Sequence, residues 1–237
     1  MYLNILLVSS SQRDNSKSFS VANYIKNHVL NGMTDVSSSV LDLAKYPFLL
    51  DHYSSRSQGS RNQSSEIQGS GSRGSGSEDS SNDDAELLAN DKSQVLQQLY
   101  QCDAVVFIVP EWGGMVPPAL VNLLLLSANG SANGLPLGHK PAFAVGVSAS
   151  GGGSNPISLL KGYAAKNSHL TWLPLHAIIQ NVDDFLAQPW APSIDNRYAQ
   201  VQSRLLVGIK SLAIYAKQLA QVRAQLVELS KVHPFGQ

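Results

Sequence analysis

Residues 3–32 read LNILLVSSSQRDNSKSFSVANYIKNHVLNG, and three patterns follow one another in this stretch. The run Leu3–Val8 is almost continuously apolar, which is typical of a short strand buried on both faces. A polar loop comes next, and apolar residues then recur at steps of three and four from Phe19 onward. These steps indicate a helix that Ser16 or Ser18 could cap at its start. The stretch therefore predicts a strand, a loop and a helix.

The same alternation repeats along the rest of the chain. Further strands are predicted at Val36–Leu43, Ala104–Val109, Pro141–Val147 and Thr171–Ile179, with helices at Lys92–Tyr100, Pro117–Ser127 and Ile157–Asn167. Parallel neighbouring strands need helical crossovers between them, so this alternation predicts a parallel sheet covered on both faces. We therefore predict an α/β fold with a doubly wound five-stranded parallel sheet in a three-layer α/β/α sandwich.

Two segments exceed this minimal pattern, although residues 1–237 are expected to form a single domain. Residues 54–84 are rich in Ser and Gly and become acidic toward their end, so they bury too little apolar surface to offset their ordering entropy. We expect a mobile insertion there, either a lid over the sheet edge or an inert solvated loop. Apolar residues at helical steps predict a long C-terminal helix over residues 198–231, with a break near Gly208 as the alternative.

Composition argues against several classes of partner. Seventeen basic residues balance seventeen acidic ones, so no overall field attracts nucleic acid or an anionic membrane. The longest apolar stretch, Met115–Ala128, is interrupted by prolines and is too short for a spanning helix, and the first apolar run is too short for a signal peptide. We expect a cytoplasmic protein without nucleic-acid or membrane partners. The single Cys102 is expected to be a small buried side chain rather than a reactive thiol.

The polar loop after the first strand, residues 9–18, has the composition of a phosphate site. The N-terminus of a helix offers unpaired N–H groups and partial positive charge, while hydroxyl groups and an arginine add further donors. Neither G-x-G-x-x-G nor a Walker pattern occurs in the loop. An ordinary capped turn has similar residues, so this loop does not decide the function by itself. The candidate phosphate ligands are Ser9, Ser11, Arg13, Ser16 and Ser18.

Two further loops follow the third and fourth predicted strands. Residues 110–114 combine an aromatic side chain with paired glycines, which let the backbone approach a planar ligand closely. Residues 148–153 contain three consecutive glycines, which suit close contact with a ligand or a simple linker. Ligands of open α/β sheets bind at the carboxyl edge of the strands, so we predict that all three loops converge on one site. The candidates in these two loops are Pro110, Glu111, Trp112, Gly113, Gly114, Ser148, Gly151 and Gly152.

The first two loops resemble the signatures of the NADPH-dependent FMN reductase family. The opening pattern of that family, S-G-S-L-R-x-x-S-x-N, is matched by Ser9, Ser11, Arg13 and Ser16, while Ser10, Gln12 and Ser18 replace its Gly, Leu and Asn. Its second pattern, P-E-Y-N-x-x-x-P-x-x-L-x-N, is matched by Pro110, Glu111, Pro117, Leu120 and Asn122. Trp112 and Gly113 replace the Tyr and the Asn of this second pattern.

The resemblance covers roughly residues 1–180 and implies a flavodoxin-like fold that binds FMN. It implies that residues 9–18 bind the phosphate and that the other two loops frame the isoalloxazine ring. The implied activity is transfer of hydride from NADPH or NADH through FMN to a small acceptor such as a free flavin or a quinone. Such chemistry needs no protein nucleophile or metal, and we expect Glu111 to hold its loop through backbone bonds. His139, His169 and His176 show neither triad nor metal-ligand spacing.

Two other functions stay open on the sequence. The chain could be an electron carrier like the flavodoxins, without its own NAD(P)H activity. Its net charge of zero, however, offers little electrostatic attraction to a protein partner. It could also be a flavin-free interaction domain. The apolar helix Ala119–Ala128 exceeds the single stripe needed to cover a sheet. We therefore predict that this helix or the terminal helix buries the interface of a homodimer or homotetramer.

Overall fold

The structure is a computed structural model that describes residues 2–50, 79–128, 135–193 and 196–233. The strands are β1 (Leu3–Ser9), β2 (Val36–Asp42), β3 (Ala104–Pro110), β4 (Pro141–Val147) and β5 (Thr171–Ile179). The helices are α1 (Lys17–His28), α2 (Asp79–Gln101), α3 (Pro118–Leu126), α4 (Ser154–Tyr163), α5 (Ala165–Ser168), α6 (Val182–Leu186) and α7 (Arg197–Ser230). Short 3-10 turns occupy Leu30–Gly32, Leu43–Lys45 and Pro47–Leu49.

The five strands form one parallel sheet in the order β2-β1-β3-β4-β5. This order reverses direction between β1 and β3, which is the switch point where doubly wound folds bind ligands. The flavodoxin-like fold class predicted from the sequence is confirmed. Whether residues 1–237 form one domain stays a prediction.

Each face of the sheet carries its own apolar core. Leu3, Ile5 and Leu7 of β1 face the core under α1, α6 and α7. Leu6 and Val8 face the opposite core, which α2, α3 and α4 cover. A central strand covered on both sides has no solvent face, which explains the continuous apolar run of β1.

Helix α2 begins earlier than the sequence pattern predicted. It starts at Asp79, well before Lys92 and inside the predicted insertion of residues 54–84. The expectation of a loop over residues 79–84 is therefore wrong. Acidic residues are favoured in the first turns of a helix by its macrodipole, so an acidic segment is also compatible with a helix start. Residues 54–78 lie outside the described residues.

Helix α7 is continuous, and the alternative of a break near Gly208 is wrong. Gly208 is buried, and a Cβ at that position would overlap the ring of Phe143 on β4. The glycine therefore serves close packing of the helix on the sheet rather than a bend. The buried residues of α7 end at Ala216. Farther along, Arg223 Nε donates to the carbonyl oxygen of Gly138 at 2.9 Å.

Cys102 is buried, as expected, and it lies beside an unusual lysine. The Lys140 ammonium is fully buried and donates to the carbonyl oxygens of Leu99 and Tyr100 at 2.5 and 2.8 Å, near the end of α2. Burial raises the pKa of the Cys102 thiol and lowers the pKa of Lys140 from 10.5 to about 8. Within the described ranges, no helix has the length and hydropathy to cross a membrane.

Candidate functional site

The loops after β1, β3 and β4 border one open cleft of about 500 Å³ at the carboxyl edge of the sheet. It lies at the switch point between β1 and β3, on the sheet edge where the sequence predicts that the three loops converge. Eight of the candidate residues line it, namely Ser11, Arg13, Ser16, Ser18, Pro110, Glu111, Trp112 and Gly113. The structure thus brings the phosphate-loop candidates together with the aromatic loop.

Five candidate residues lie beside the cleft without lining it. These are Ser9, Gly114, Ser148, Gly151 and Gly152. Ser9 is fully buried, and its hydroxyl lies 3.2 Å from that of Ser18. Ser9 therefore acts on the cleft through Ser18, which lines it.

Serine hydroxyls are concentrated at the start of α1. Ser16 caps this helix, because its Oγ accepts a hydrogen bond of 3.2 Å from the Phe19 N–H. The same Oγ lies 2.9 Å from the Ser18 hydroxyl, which in turn contacts Ser9 from below. Ser11 Oγ accepts from the Arg13 N–H at 3.1 Å and so holds the loop above. Hydroxyl groups, a helix N-terminus and an arginine together form a site for an anion.

Two buried polar atoms in this loop have no hydrogen-bond partner among the described residues. They are Ser10 Oγ and Gln12 Oε1. Buried polar groups are normally paired, and leaving one unpaired costs about 1–3 kcal/mol. Unpaired polar atoms beside an open cleft are consistent with a loop built around a polar ligand.

The β3 loop is a tight hairpin. Trp112 and Met115 form an antiparallel bridge, with N···O distances of 3.3 and 2.9 Å. Gly113 and Gly114 between them have φ values of 55° and 80°, a pair of left-handed conformations that glycine adopts without strain. The paired glycines thus turn the chain and present the Trp112 ring at the cleft.

The Trp112 ring also contacts the phosphate loop. The guanidinium carbon of Arg13 lies 4.7 Å from the centroid of this ring. Arg13 therefore stands between the hydroxyl groups at the start of α1 and the aromatic loop.

Glu111 holds the neighbouring loop rather than its own. Its Oε2 accepts a hydrogen bond from the Gly153 N–H, and its carboxylate occupies the space that a Cβ at Gly152 would need. The expectation that Glu111 bonds to backbone groups is confirmed, but those groups belong to the β4 loop. A side chain at position 152 would therefore displace the Glu111 carboxylate from this position.

The β4 loop is further held by the chain that follows β5. The Ser148 carbonyl accepts from Val182 N at 3.1 Å, and the Ser150 carbonyl accepts from Asn181 N at 3.0 Å. Gly153 caps α4 with φ 103°, a conformation that favours glycine. The three consecutive glycines therefore belong to a loop with defined contacts on both sides.

The sequence analysis missed six residues that line the cleft. They are Asp14, Asn15, Lys17, Val147, Ala149 and Val182. Asp14, Asn15 and Lys17 lie in the polar loop of residues 9–18, which the sequence already indicates as a candidate phosphate site. Val182 follows β5 and carries no sequence signal, because only the packing of α6 against α1 brings it to the cleft. The ion pair of Lys17 with Asp183 joins these two helices.

His139, His169 and His176 do not line the cleft. The part of the chain that the structure describes contains no group of three or more metal-ligating side chains. Asn122, which matches the second sequence signature, donates to the Leu49 carbonyl at 2.5 Å and ties α3 to the loop after β2. That side chain therefore has a structural partner in this protein.

Comparison with known proteins agrees with the fold. A sequence profile described as NADPH-dependent FMN reductase matches residues 3–179. No curated protein is similar enough in sequence to match the chain.

Solved structures of several oxidoreductases share the fold. An oxidoreductase from Corynebacterium diphtheriae has a TM-score of 0.61 at 11% identity, with 92% of this chain and 98% of that chain covered. The apo form of an NADH:FMN oxidoreductase has a TM-score of 0.58 at 12% identity, covering 90% and 89%. An NAD(P)H:(acceptor) oxidoreductase from Paracoccus denitrificans has a TM-score of 0.53 at 14% identity, covering 91% and 98%. At such identities the likeness shows a common fold and nothing finer.

Proposed function

Because this chain belongs to the NADPH-dependent FMN reductase family, we propose that the cleft between the β1 and β3 loops is its FMN site. Family membership makes the protein an NAD(P)H-dependent flavin oxidoreductase with FMN as cofactor. The observation that carries the site assignment is the meeting of the α1 serine hydroxyls and Trp112 around Arg13 in one cleft. FMN requires an anion site for its phosphate and an aromatic wall for its ring.

The residues at the start of α1 fit a phosphate group. Ser11, Ser16 and Ser18 supply hydroxyls, and Arg13 supplies a charged fork at the rim. Ser9 is proposed to support Ser18 from below rather than to touch the phosphate. In the same loop, the buried Ser10 Oγ has no hydrogen-bond partner among the described residues.

The β3 and β4 loops fit a planar ring system. The hairpin at Gly113 and Gly114 carries Trp112 to the cleft, and Glu111 holds the β4 loop beside it. When bound, FMN supplies the redox chemistry by taking hydride from the nicotinamide and reducing a second substrate. The contribution of the protein is to bind and orient, through Pro110–Gly114 on one side and Ser148, Gly151 and Gly152 on the other.

The acceptor is proposed to be a small molecule such as a free flavin or a quinone. The cleft opens to solvent at the sheet edge, and it is lined by residues of both charge signs, Arg13 and Lys17 with Asp14 and Glu111. Such a lining does not select a strongly charged macromolecule. The proposed donor is NADPH or NADH.

An absorption spectrum followed by anaerobic addition of NADPH or NADH tests the assignment. We expect a yellow protein whose flavin absorption bleaches with at least one donor and returns when a quinone is added. Ser18→Ala should retain less FMN, while the matched control Ser20→Ala, with its exposed hydroxyl on the same helix, should retain the wild-type amount. A colourless protein that FMN does not stabilise against heat would contradict the proposal. A yellow protein that neither donor bleaches would be an electron carrier.

We further propose a homodimer that forms through α7. Four apolar residues on its outer side recur about two helical turns apart and are between 41% and 68% exposed. They are Val207, Ile214, Val222 and Leu229. On α3, by contrast, Leu123 and Leu124 are already buried in the core of this protein. Their burial accounts for much of the apolar run of α3.

Association through the edge of β5 is disfavoured. Lys161 donates to the Leu173 carbonyl at 2.6 Å, and Arg204 Nε donates to the His176 carbonyl at 2.6 Å, so cationic side chains cover this strand. Light scattering should therefore give a dimer that Ile214→Glu converts to a monomer, while Leu159→Lys on α4 leaves it intact. A wild-type monomer at micromolar concentration, or a tetramer, would contradict this arrangement. A cytoplasmic location is proposed because NAD(P)H is supplied there.

A further inference from the structure

The orientation of the β4 loop is set from two opposite sides. On the β3 side, the Glu111 carboxylate accepts from the Gly153 N–H. On the β5 side, the Gln180 Nε2 amide donates to the carbonyl oxygen of Gly151 and, at 3.3 Å, to that of Gly152. Two consecutive carbonyl groups thus point toward one side-chain amide.

Arg197 determines which way this amide faces. Its Nη2 donates to Gln180 Oε1 at 2.8 Å. An arginine has no acceptor atom, so it can bind only the oxygen of the Gln180 amide, and the nitrogen is left for the two carbonyl groups. Arg197 is the first residue of α7, and this helix is anchored in the core by Leu205 and Ile209. The contact therefore connects the loop to a rigid element.

The carbonyl directions decide where the N–H groups of the loop face. The described residues contain no cis peptide bond, and in a trans peptide the C=O and N–H groups point in opposite directions. Because the carbonyls of Gly151 and Gly152 face Gln180, the N–H groups of Gly152 and Gly153 face the other way. The Gly153 N–H ends on Glu111, which lines the cleft. The Gly152 N–H faces this same side.

We infer that Gln180 and Arg197 are positioning residues that hold the two peptides between Gly151 and Gly153 so that the Gly152 N–H faces the flavin ring. The inference rests on the proposed FMN site. Both residues lie beyond residues 3–179, the segment that matches the family. The long C-terminal helix, which that match leaves out, thereby acts on the redox site through a single arginine.

Variants at Gln180 separate the two contacts of its side chain. Gln180→Ala removes both contacts, whereas Gln180→Glu keeps an acceptor for Arg197 and loses the donor to the loop. We expect both to weaken FMN binding about three- to tenfold, since Gln180→Ala removes three hydrogen bonds and Gln180→Glu removes the two to the loop. Arg197→Ala should have a smaller effect in the same direction, with partial recovery in Arg197→Lys. Lys210→Ala, which removes a positive charge elsewhere on α7, should bind FMN like the wild type.

Three measurements test the inference on the full chain. The first is the FMN dissociation constant by fluorescence titration, and the second is the midpoint potential of the bound flavin, which a merely structural contact would leave unchanged. The third is amide hydrogen exchange of residues 148–153 in the FMN-free protein, which should accelerate in Gln180→Ala and Gln180→Glu. The melting temperature should stay within about 3 °C of the wild type, since these are solvent-accessible contacts.

The outcomes distinguish this inference from the site assignment. If the wild type binds no FMN, the proposed function fails and the inference fails with it, whatever the exchange data show. If the wild type binds FMN, and Gln180→Ala and Gln180→Glu match its affinity and potential, the inference alone is overturned. Faster exchange with unchanged FMN affinity and unchanged potential would likewise overturn it, because the loop would then be held without any effect on the flavin.

Discussion

The guanidinium carbon of Arg13 lies 4.7 Å from the centroid of the Trp112 ring. This contact joins the loop after β1 to the hairpin after β3, two segments far apart in sequence. A cation over an aromatic ring contributes about 0.5–1 kcal/mol at an exposed site. Arg13 is therefore held at the rim of the cleft, where the phosphate of FMN is proposed to lie.

Replacing Arg13 should weaken FMN binding more than the loss of its contact with Trp112 alone would. Arg13→Ala removes a charged donor worth about 1.5–3 kcal/mol, so we expect about a tenfold or larger rise in the FMN dissociation constant. Arg13→Lys should recover part of the affinity, because it keeps the charge without the planar fork. Fluorescence titration measures both, with Lys26→Ala at the far end of α1 as the control. Wild-type affinity in Arg13→Ala would show that the phosphate lies elsewhere.

Gly113 should accept asparagine but not valine. Its φ of 55° is in the left-handed region, where asparagine is tolerated and β-branched residues are strained, and no atom lies within 4 Å of a Cβ built there. Gly113→Asn should change the melting temperature little, while Gly113→Val should cost about 1–2 kcal/mol, or roughly 2–8 °C. Equal melting temperatures for the two variants would refute this reading of the hairpin.

Gly113→Asn also places a side-chain amide where the family signature has one. If that amide reaches the flavin, FMN affinity should rise relative to the wild type. Calorimetric titration of the two proteins at the same salt concentration checks this.

Gly208 should not tolerate alanine, although alanine favours helices. A Cβ there would overlap the Phe143 ring, and overpacking of this kind costs about 1–3 kcal/mol. Gly162→Ala is the matched control, because this glycine lies in α4 with no atom within 4 Å of the added Cβ. Urea unfolding should show a loss of stability for Gly208→Ala and a small gain for Gly162→Ala. A stabilised Gly208→Ala would mean that α7 does not pack closely on β4.

Lys140 should make stability rise with pH in the weakly alkaline range. Its pKa is about 8 in the folded protein, because burial disfavours the ammonium, and about 10.4 in an unfolded chain. Between these values the unfolded state binds more protons, so the free energy of unfolding increases as pH rises through 8 toward 10. The neutral amine still has two N–H groups for the carbonyls of Leu99 and Tyr100.

The Cys102 thiol opposes this effect, since its raised pKa makes stability fall above its unfolded pKa. The comparison is therefore made between Cys102→Ala and Cys102→Ala/Lys140→Met by urea unfolding at pH 7.5, 8.5 and 9.5. The difference in free energy of unfolding between the two should grow in favour of the lysine protein as pH rises. A difference that is flat with pH would show that Lys140 titrates normally.

Much of the fold was predictable because its signals are local. The apolar run of β1 and the Ser16 cap of α1 each depend on residues within a few positions, and both were placed close to their observed bounds. The start of α2 was misplaced because an acidic, serine-rich segment has the composition of both a loop and a helix start. The two motifs at residues 9–18 and 110–114 could likewise be recognised from the sequence, since each lies in one continuous stretch.

The sequence by itself determined the order of strands and helices along the chain, the family and the loops that are proposed to carry the flavin site. The tertiary structure alone decided how those loops are held together. Arg13 meets Trp112, Glu111 binds Gly153, and Gln180 binds Gly151 only after the sheet has brought distant segments to one edge. Local patterns report the preferences of neighbouring residues, whereas these contacts join partners that are distant in sequence and become neighbours only through the packing of β1, β3, β4 and α7.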